Sequence, residues 1–170
     1  MNIKLLGAIL IIGGCGSIGW LVAAAYLREE KYLYRLVTIL GYMTCELQYK
    51  LTPLPQLCRL AAKEREGTLS DVFQDLASEL EAQISPDAES CMQTVLVKYK
   101  NLPSHTRSAL QQLGISLGKF DLQGQIKGID GVIAECQRKL NSLTNNKDTR
   151  LRSYRTLGFC AGAAIVIILF

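Results

Sequence analysis

Twenty-three consecutive residues, Leu5 to Leu27, carry no charged side chain. As a helix rising about 1.5 Å per residue, such a run spans roughly 34 Å, enough to cross a hydrocarbon core of about 30 Å. The expectation is a transmembrane helix over residues 1–27, with Trp20 and Tyr26 toward its second interface. Cys15, in IIGGCGS, raises the alternative of a precursor cleaved and lipidated at that cysteine. A cleavable signal needs a positive start, an apolar stretch of about 7–15 residues and then a break. Here the apolar character continues past Cys15 through Ile18, Trp20, Leu21 and Val22, and the first charge after it is Arg28. Cys15 therefore reads as a small apolar packing residue. Gly7, Gly13, Gly14, Gly16 and Gly19 read as a surface for close helix approach in a bilayer, or as residues the bilayer merely tolerates.

The chain ends in a second uncharged run, TLGFCAGAAIVIILF, Thr156 to Phe170. At about 22 Å it is short for a span. Leu151 and Tyr154 can complete it, with Arg152 and Arg155 snorkelling toward the headgroups. Gly158 and Gly162 form a GxxxG pair suited to helix packing in a membrane. The pattern predicts a membrane hairpin: a first span over 1–27, a domain over 28–155 and a second span over 156–170. Arg28, Lys31 and Arg35 follow the first run; Arg138, Lys139, Lys147, Arg150, Arg152 and Arg155 precede the second, against Lys4 alone on the other side. The positive-inside rule then puts the middle in the cytoplasm. Cys45, Cys58, Cys91 and Cys136 fit a reducing compartment, because their spacing is irregular and contains no CxxC.

The middle holds all 15 acids and all but one of the 19 Lys and Arg. That balance is too mild to point to nucleic acid. A segment of this size is expected to bury one core. Its apolar residues recur at three and four, as in Leu33, Leu36, Val37, Leu40, Met43 and Leu47, which continues the first helix to a stop at TPLP, Thr52 to Pro55. A short helix over 55–63 should follow, then one carrying Leu69, Val72, Phe73, Leu76, Leu80 and Ile84, capped by Thr68 or Ser70. SPDAE predicts a further start, with Ser85 as cap and Pro86 at the first position, on a helix running to about Asn101. Pro103 opens another helix through Leu110, Leu113 and Leu117, and Asp121 caps a last one through Ile126, Ile129, Ile133, Cys136 and Leu140. No segment alternates with period two. The fold class is all-α, an antiparallel helical bundle flanked by the two membrane helices.

Catalytic and cofactor signatures are missing. His105 is the only histidine, and it has no second ligand at metal spacing. No GxxxxGK[ST] occurs, and Gly114 to Gly118 and Gly124 to Gly128 follow no strand, so neither is a dinucleotide fingerprint. The reading is of a protein that is not an enzyme and binds no cofactor, metal or nucleic acid.

ELQYKLTPL (Glu46 to Leu54), LQQLGISLGKFDLQGQ (Leu110 to Gln125) and the terminal YRTLGFCAGAAIVIILF, with KLLGAILIIGG and YLRE near the start, together resemble the stage III sporulation protein AB family of endospore-forming bacteria. The resemblance implies a membrane protein of the sporulation channel complex between mother cell and forespore. Its helical domain would be similar to the cytoplasmic domains of type II secretion F and pilus platform proteins. It further implies a mother-cell location at the forespore, with other channel subunits and the companion AA protein, a secretion-type ATPase, as partners. Family positions fall on Glu46, Tyr49, Thr52 and Pro53 at the first turn, and on Leu113, Gly114, Leu117, Gly118, Asp121 and Gln125 at the last.

Most of these positions read first as fold devices: Pro53 ends a helix, Gly118 permits a tight turn and Asp121 caps. Glu46 and Tyr49 fit either a partner or a contact with Gln125. Residues 56–108 match no family motif, but Asp71, Asp75 and Glu79 stand at i, i+4 and i+8 in a stretch without a base. They form either a solvated face or a surface that steers a basic partner such as the ATPase. The functional reading is a platform or scaffold subunit of a secretion-like complex. A two-span sensor or adaptor signalling through its bundle comes second, and a membrane enzyme using a buried cysteine third. Homo-oligomerisation stays open.

Overall fold

The structure is a computed structural model. It describes residues 3–63, 67–83, 85–117 and 121–145, with side chains from Leu21 onward. Six helices and no strand appear among the described residues: α1 Ile3–Lys50, α2 Leu54–Lys63, α3 Thr68–Ala82, α4 Ala88–Lys98, α5 Ser104–Ser116 and α6 Leu122–Asn145. The chain divides into two compact units. One comprises Glu29–Leu140, which holds the bundle; the other comprises Met1–Arg28 and Asn141–Phe170.

Within Glu29–Leu140 the stripe read on α1 is buried except at Val37, which is partly exposed and whose place Ile39 takes. Leu33, Leu36, Ile39, Leu40 and Met43 are fully buried. Helix α2 packs on α3, α3 on α4 and α4 on α5, each pair joined by a short turn and therefore antiparallel. Phe73 and Leu76 on α3, Met92 and Leu96 on α4, and Leu110 and Leu113 on α5 complete that core. Helix α6 adds Ile126, Ile129, Val132 and Cys136. The Tyr32 hydroxyl reaches Thr68 Oγ1 at 3.1 Å, and the Glu29 carboxylate accepts the His105 backbone N–H at 2.9 Å. These contacts put the Glu29 end of α1 beside the α2–α3 and α4–α5 turns. The Lys50 end then lies with the α3–α4 and α5–α6 turns.

Helix ends differ from the sequence reading in instructive ways. Thr68 and Ser70 do not cap α3. Gly67 holds the cap position at φ 118° with no side-chain bond, because the Thr68 hydroxyl is taken by Tyr32 and the Ser70 hydroxyl donates to the Ala62 carbonyl at 2.6 Å. Ser85 does not cap α4 and Pro86 is not its first residue. Asp87 caps it, accepting from the Ser90 N–H at 2.9 Å. Helix α4 stops at Lys98 rather than near Asn101, and Arg107 occupies its last carbonyls, donating to Leu96 at 3.0 Å and Tyr99 at 2.5 Å. Asp121 caps α6 as expected, accepting from the Gly124 N–H at 3.0 Å.

The two expected membrane spans are described to different extents. Helix α1 is continuous across Leu5–Leu27 in its backbone, but its side chains are described only from Leu21, and Thr156–Phe170, with Gly158 and Gly162, lies outside the described residues. Among the described residues no helix is long and apolar enough to cross a membrane, so the structure supports the bundle and not the two flanking spans.

Two glycines differ sharply in their surroundings. A Cβ at Gly114 would lie 2.8 Å from Met92 Cβ on α4, whereas one at Gly131 would meet nothing within 4 Å. Gly114→Ala should therefore destabilise the full chain by about 1–3 kcal/mol through overpacking, while Gly131→Ala should stabilise it by about 0.5–1 kcal/mol through helix propensity. Chemical denaturation in detergent reads both. Equal effects of the two substitutions would show that α4 and α5 are not in close contact at Gly114.

Candidate functional site

The family positions of the two motifs meet at one end of the bundle. Helix α1 carries ELQYK in its last turns, and the residue before Pro53 is disfavoured in helical conformation, so the helix ends ahead of the proline. It ends at Lys50, three residues before Pro53. Leu51 takes the left-handed conformation at φ 52°, and the Pro53 carbonyl opens α2 by accepting the Leu57 N–H at 2.9 Å. A left-handed residue past a helix end is ordinarily Gly, since a Cβ there costs about 1–2 kcal/mol. Leu51 bears that strain and is nonetheless 66 % exposed.

Glu46 points inward from the same turns. Its side chain is only 8 % exposed, and its Oε1 accepts from Lys50 Nζ at 2.8 Å and from the Tyr42 hydroxyl at 3.1 Å. Oε2 is buried with no hydrogen-bond partner. The Lys50 bond, Lys50 charge, Tyr42 and Thr52 together hold the Glu46 carboxyl below its usual value against the opposing effect of burial. The structure thus pairs Glu46 within its own helix. The residues one step out, Tyr49 at 84 % exposure and Leu51, face away from the core.

The remaining expected positions divide between packing and surface. Leu113, Gly114 and Leu117 are buried, and Asp121 and Gln125 form the first turn of α6, the Gln125 N–H donating to the Asp121 carbonyl at 2.9 Å. Gly118 lies outside the described residues. Asp71, Asp75 and Glu79 do share one face of α3, but the base absent from that stretch of sequence arrives from α4. Lys98 Nζ stands 3.4 Å from Asp75 and 3.8 Å from Glu79, and the Tyr99 hydroxyl donates to Asp75 at 3.3 Å. Burial, helped by Asp75 and Asp71, raises the Tyr99 phenol above its usual range. The stripe is partly neutralised within the bundle.

Two features had no counterpart in the sequence reading. One is the left-handed Leu51, which nothing in its identity announces. The other is a groove of about 440 Å³ at the same end, lined by Leu54, Leu80, Gln83, Pro86, Ala88 and Cys91 among others. Gln83 in its wall is the other described non-glycine residue with positive φ. Burial raises the thiol of Cys91 and pushes that of Cys58 up to about 12 and that of Cys136 up to about 11. These thiols stay protonated near neutral pH and are poor nucleophiles. No group of His, Cys, Asp and Glu that could hold a metal occurs among the described residues.

The profile of the family described as stage III sporulation protein AB matches residues 4–170. The chain belongs to the stage III sporulation protein AB family. A curated relative, stage III sporulation protein AB of Bacillus subtilis (strain 168), is 25 % identical over 170 residues, which cover 98 % of this chain and 99 % of the relative. A solved structure of a stage III sporulation protein AB superposes with a TM-score of 0.63 at 20 % identity, covering 72 % of this chain and 98 % of that one. Family membership rests on the profile match, and the shared fold on the superposition. Within the family frame, ELQYKLTPL forms the end of α1 and the start of α2, and the described parts of the second motif, residues 110–117 and 121–125, form the end of α5 and the start of α6.

The Glu46 contacts have a pH consequence. A carboxyl whose folded pKa lies below its unfolded value, near 4.5, contributes stability that is complete above that value and is lost as pH falls through the folded one. Wild type should exceed Glu46→Gln in melting temperature at pH 6–7, and the gap should close as the pH is lowered from about 4.5 toward 3. A gap that is constant with pH would mean that the Glu46–Lys50 pair does not form.

Proposed function

We propose that this chain is a non-enzymatic platform subunit of a secretion-like sporulation complex, anchored in the membrane by its two apolar runs. In this reading the bundle sits in the cytoplasm on the mother-cell side and docks a secretion-type ATPase and channel subunits. The single observation that carries the reading is the continuity of α1. Leu5–Leu27, uncharged, and Leu33–Leu47, the spine of the bundle core, lie on one helix without a break. One helix that carries first an uncharged run and then the buried stripe of a packed domain leaves no loop or Gly/Pro-rich linker between the two in sequence, which suits a platform subunit better than a freely tethered effector domain. The membership of the whole chain in a sporulation family supplies the setting. The helical bundle, its protonated buried thiols and its exposed turn residues suit protein contact better than turnover.

Crosslinking in sporulating cells tests the proposal. The tagged full chain should recover an ATPase and channel subunits from solubilised membranes. In a background without native cysteines, single cysteines at Thr68 and Ser104 should resist an impermeant thiol reagent until the cells are lysed. Recovery of one soluble effector and no ATPase would favour an adaptor, and labelling of both positions in intact cells would reverse the orientation.

A further inference from the structure

Three features at the Lys50 end of α1 are left incomplete within the chain. Glu46 is buried with Oε1 bonded and Oε2 unpartnered. Leu51 occupies a left-handed position at φ 52° where glycine is cheapest, and its side chain is 66 % exposed, so no packing within the chain offsets the strain. Tyr49, one turn from Glu46, is 84 % exposed. Backbone strain, an orphaned carboxylate oxygen and two uncovered apolar side chains within six residues are the marks of a surface completed by something else.

The chemistry selects the occupant. The ammonium of Lys50 is a point donor and satisfies one oxygen of Glu46; its side chain is 68 % exposed and can leave without disturbing the core. A guanidinium is a planar fork that bonds both oxygens of a carboxylate at once and stacks on an aromatic ring. We propose that Glu46, Tyr49 and Leu51 form a docking site for an arginine of a partner protein. The guanidinium displaces Lys50 and takes both Glu46 oxygens, Tyr49 stacks on its plane, and Leu51 covers an apolar side chain beside the arginine. This rests on the platform reading only in supposing a protein partner; the site itself is argued from the turn.

The test uses the full chain in detergent and three fluorescent peptides, acetyl-Leu-Arg-Leu-Leu-amide and its lysine and citrulline counterparts. Citrulline keeps the shape of arginine without its charge. The arginine peptide should bind at least tenfold more tightly than the citrulline peptide and several-fold more tightly than the lysine peptide. Glu46→Gln and Tyr49→Ala should each weaken it at least fivefold. Leu51→Gly separates docking from folding: it should weaken the peptide while leaving the melting temperature unchanged or a few degrees higher, because the left-handed strain is relieved. Equal binding of arginine and citrulline peptides, no binding of any peptide, or full affinity in Leu51→Gly would overturn the proposal. Cellular crosslinking keeps the two readings apart. Partners recovered equally by wild type and by the Glu46→Gln, Tyr49→Ala, Leu51→Gly triple variant would leave the platform standing and remove this site. Absence of partners in wild type would remove the platform, with the peptide result judging the site alone.

Discussion

The bundle depends on one helix face. Leu33, Leu36, Ile39, Leu40 and Met43 of α1 lose essentially all contact with solvent, and each such side chain gains about 1.5–3 kcal/mol on burial. Helices α2 to α5 are short, between 10 and 15 residues, and helices of that length are marginal in water on their own. They persist because they pack around the long apolar ridge of α1. The stripe on α1 therefore organises the order of the other elements as well as their stability.

Assembly around a central helix also explains why the turns are tied by side chains from elsewhere. Helix α5 begins at Ser104 behind Pro103, which offers no side-chain cap, and its His105 N–H is accepted by Glu29, 76 residues earlier. Helix α4 ends on carbonyls held by Arg107 from the following helix. Each tie closes an orphaned helix end and at the same time fixes two helices to each other. At the Lys50 end this economy stops: an oxygen of Glu46 is left over, and Leu51 and Tyr49 are left uncovered. Asp87 and Asp121 still cap α4 and α6 at that end, so what is left over is confined to Glu46, Tyr49 and Leu51, the residues of the proposed docking site.

The helices were legible because burial imposes a period of three to four that no other structure satisfies. Leu33 to Leu47, Leu69 to Leu80 and Ile126 to Cys136 follow it, and even the Asp130–Gly131 pair stays helical within α6. On α6 the buried stripe uses Val132 rather than the half-exposed Ile133, a shift of one position that the period alone does not decide. Caps were less legible, because a hydroxyl such as that of Thr68 or Ser70 has competing partners that only the fold brings near. The acidic stripe was read correctly as one helix face, but its counter-ion, Lys98, lies 23 residues from Asp75. Glu46 stood out through its family motif, whereas Leu51 did not, since the sign of φ cannot be read from a leucine. Lys50 was legible in principle: Glu46 and Lys50 are four apart, the spacing at which opposite charges meet on a helix.

Amide hydrogen exchange of the full chain in detergent micelles tests the central claim most directly, because it reports the stability of α1 residue by residue. If the α1 stripe is what the other helices assemble on, the amides of residues 33–47 should be the slowest in the bundle, exchanging only with global unfolding. Those of α2 should exchange through smaller, local openings. Fast exchange across residues 33–47 while α3, α4 and α5 remain protected would contradict the account, since the short helices would then hold together without the ridge.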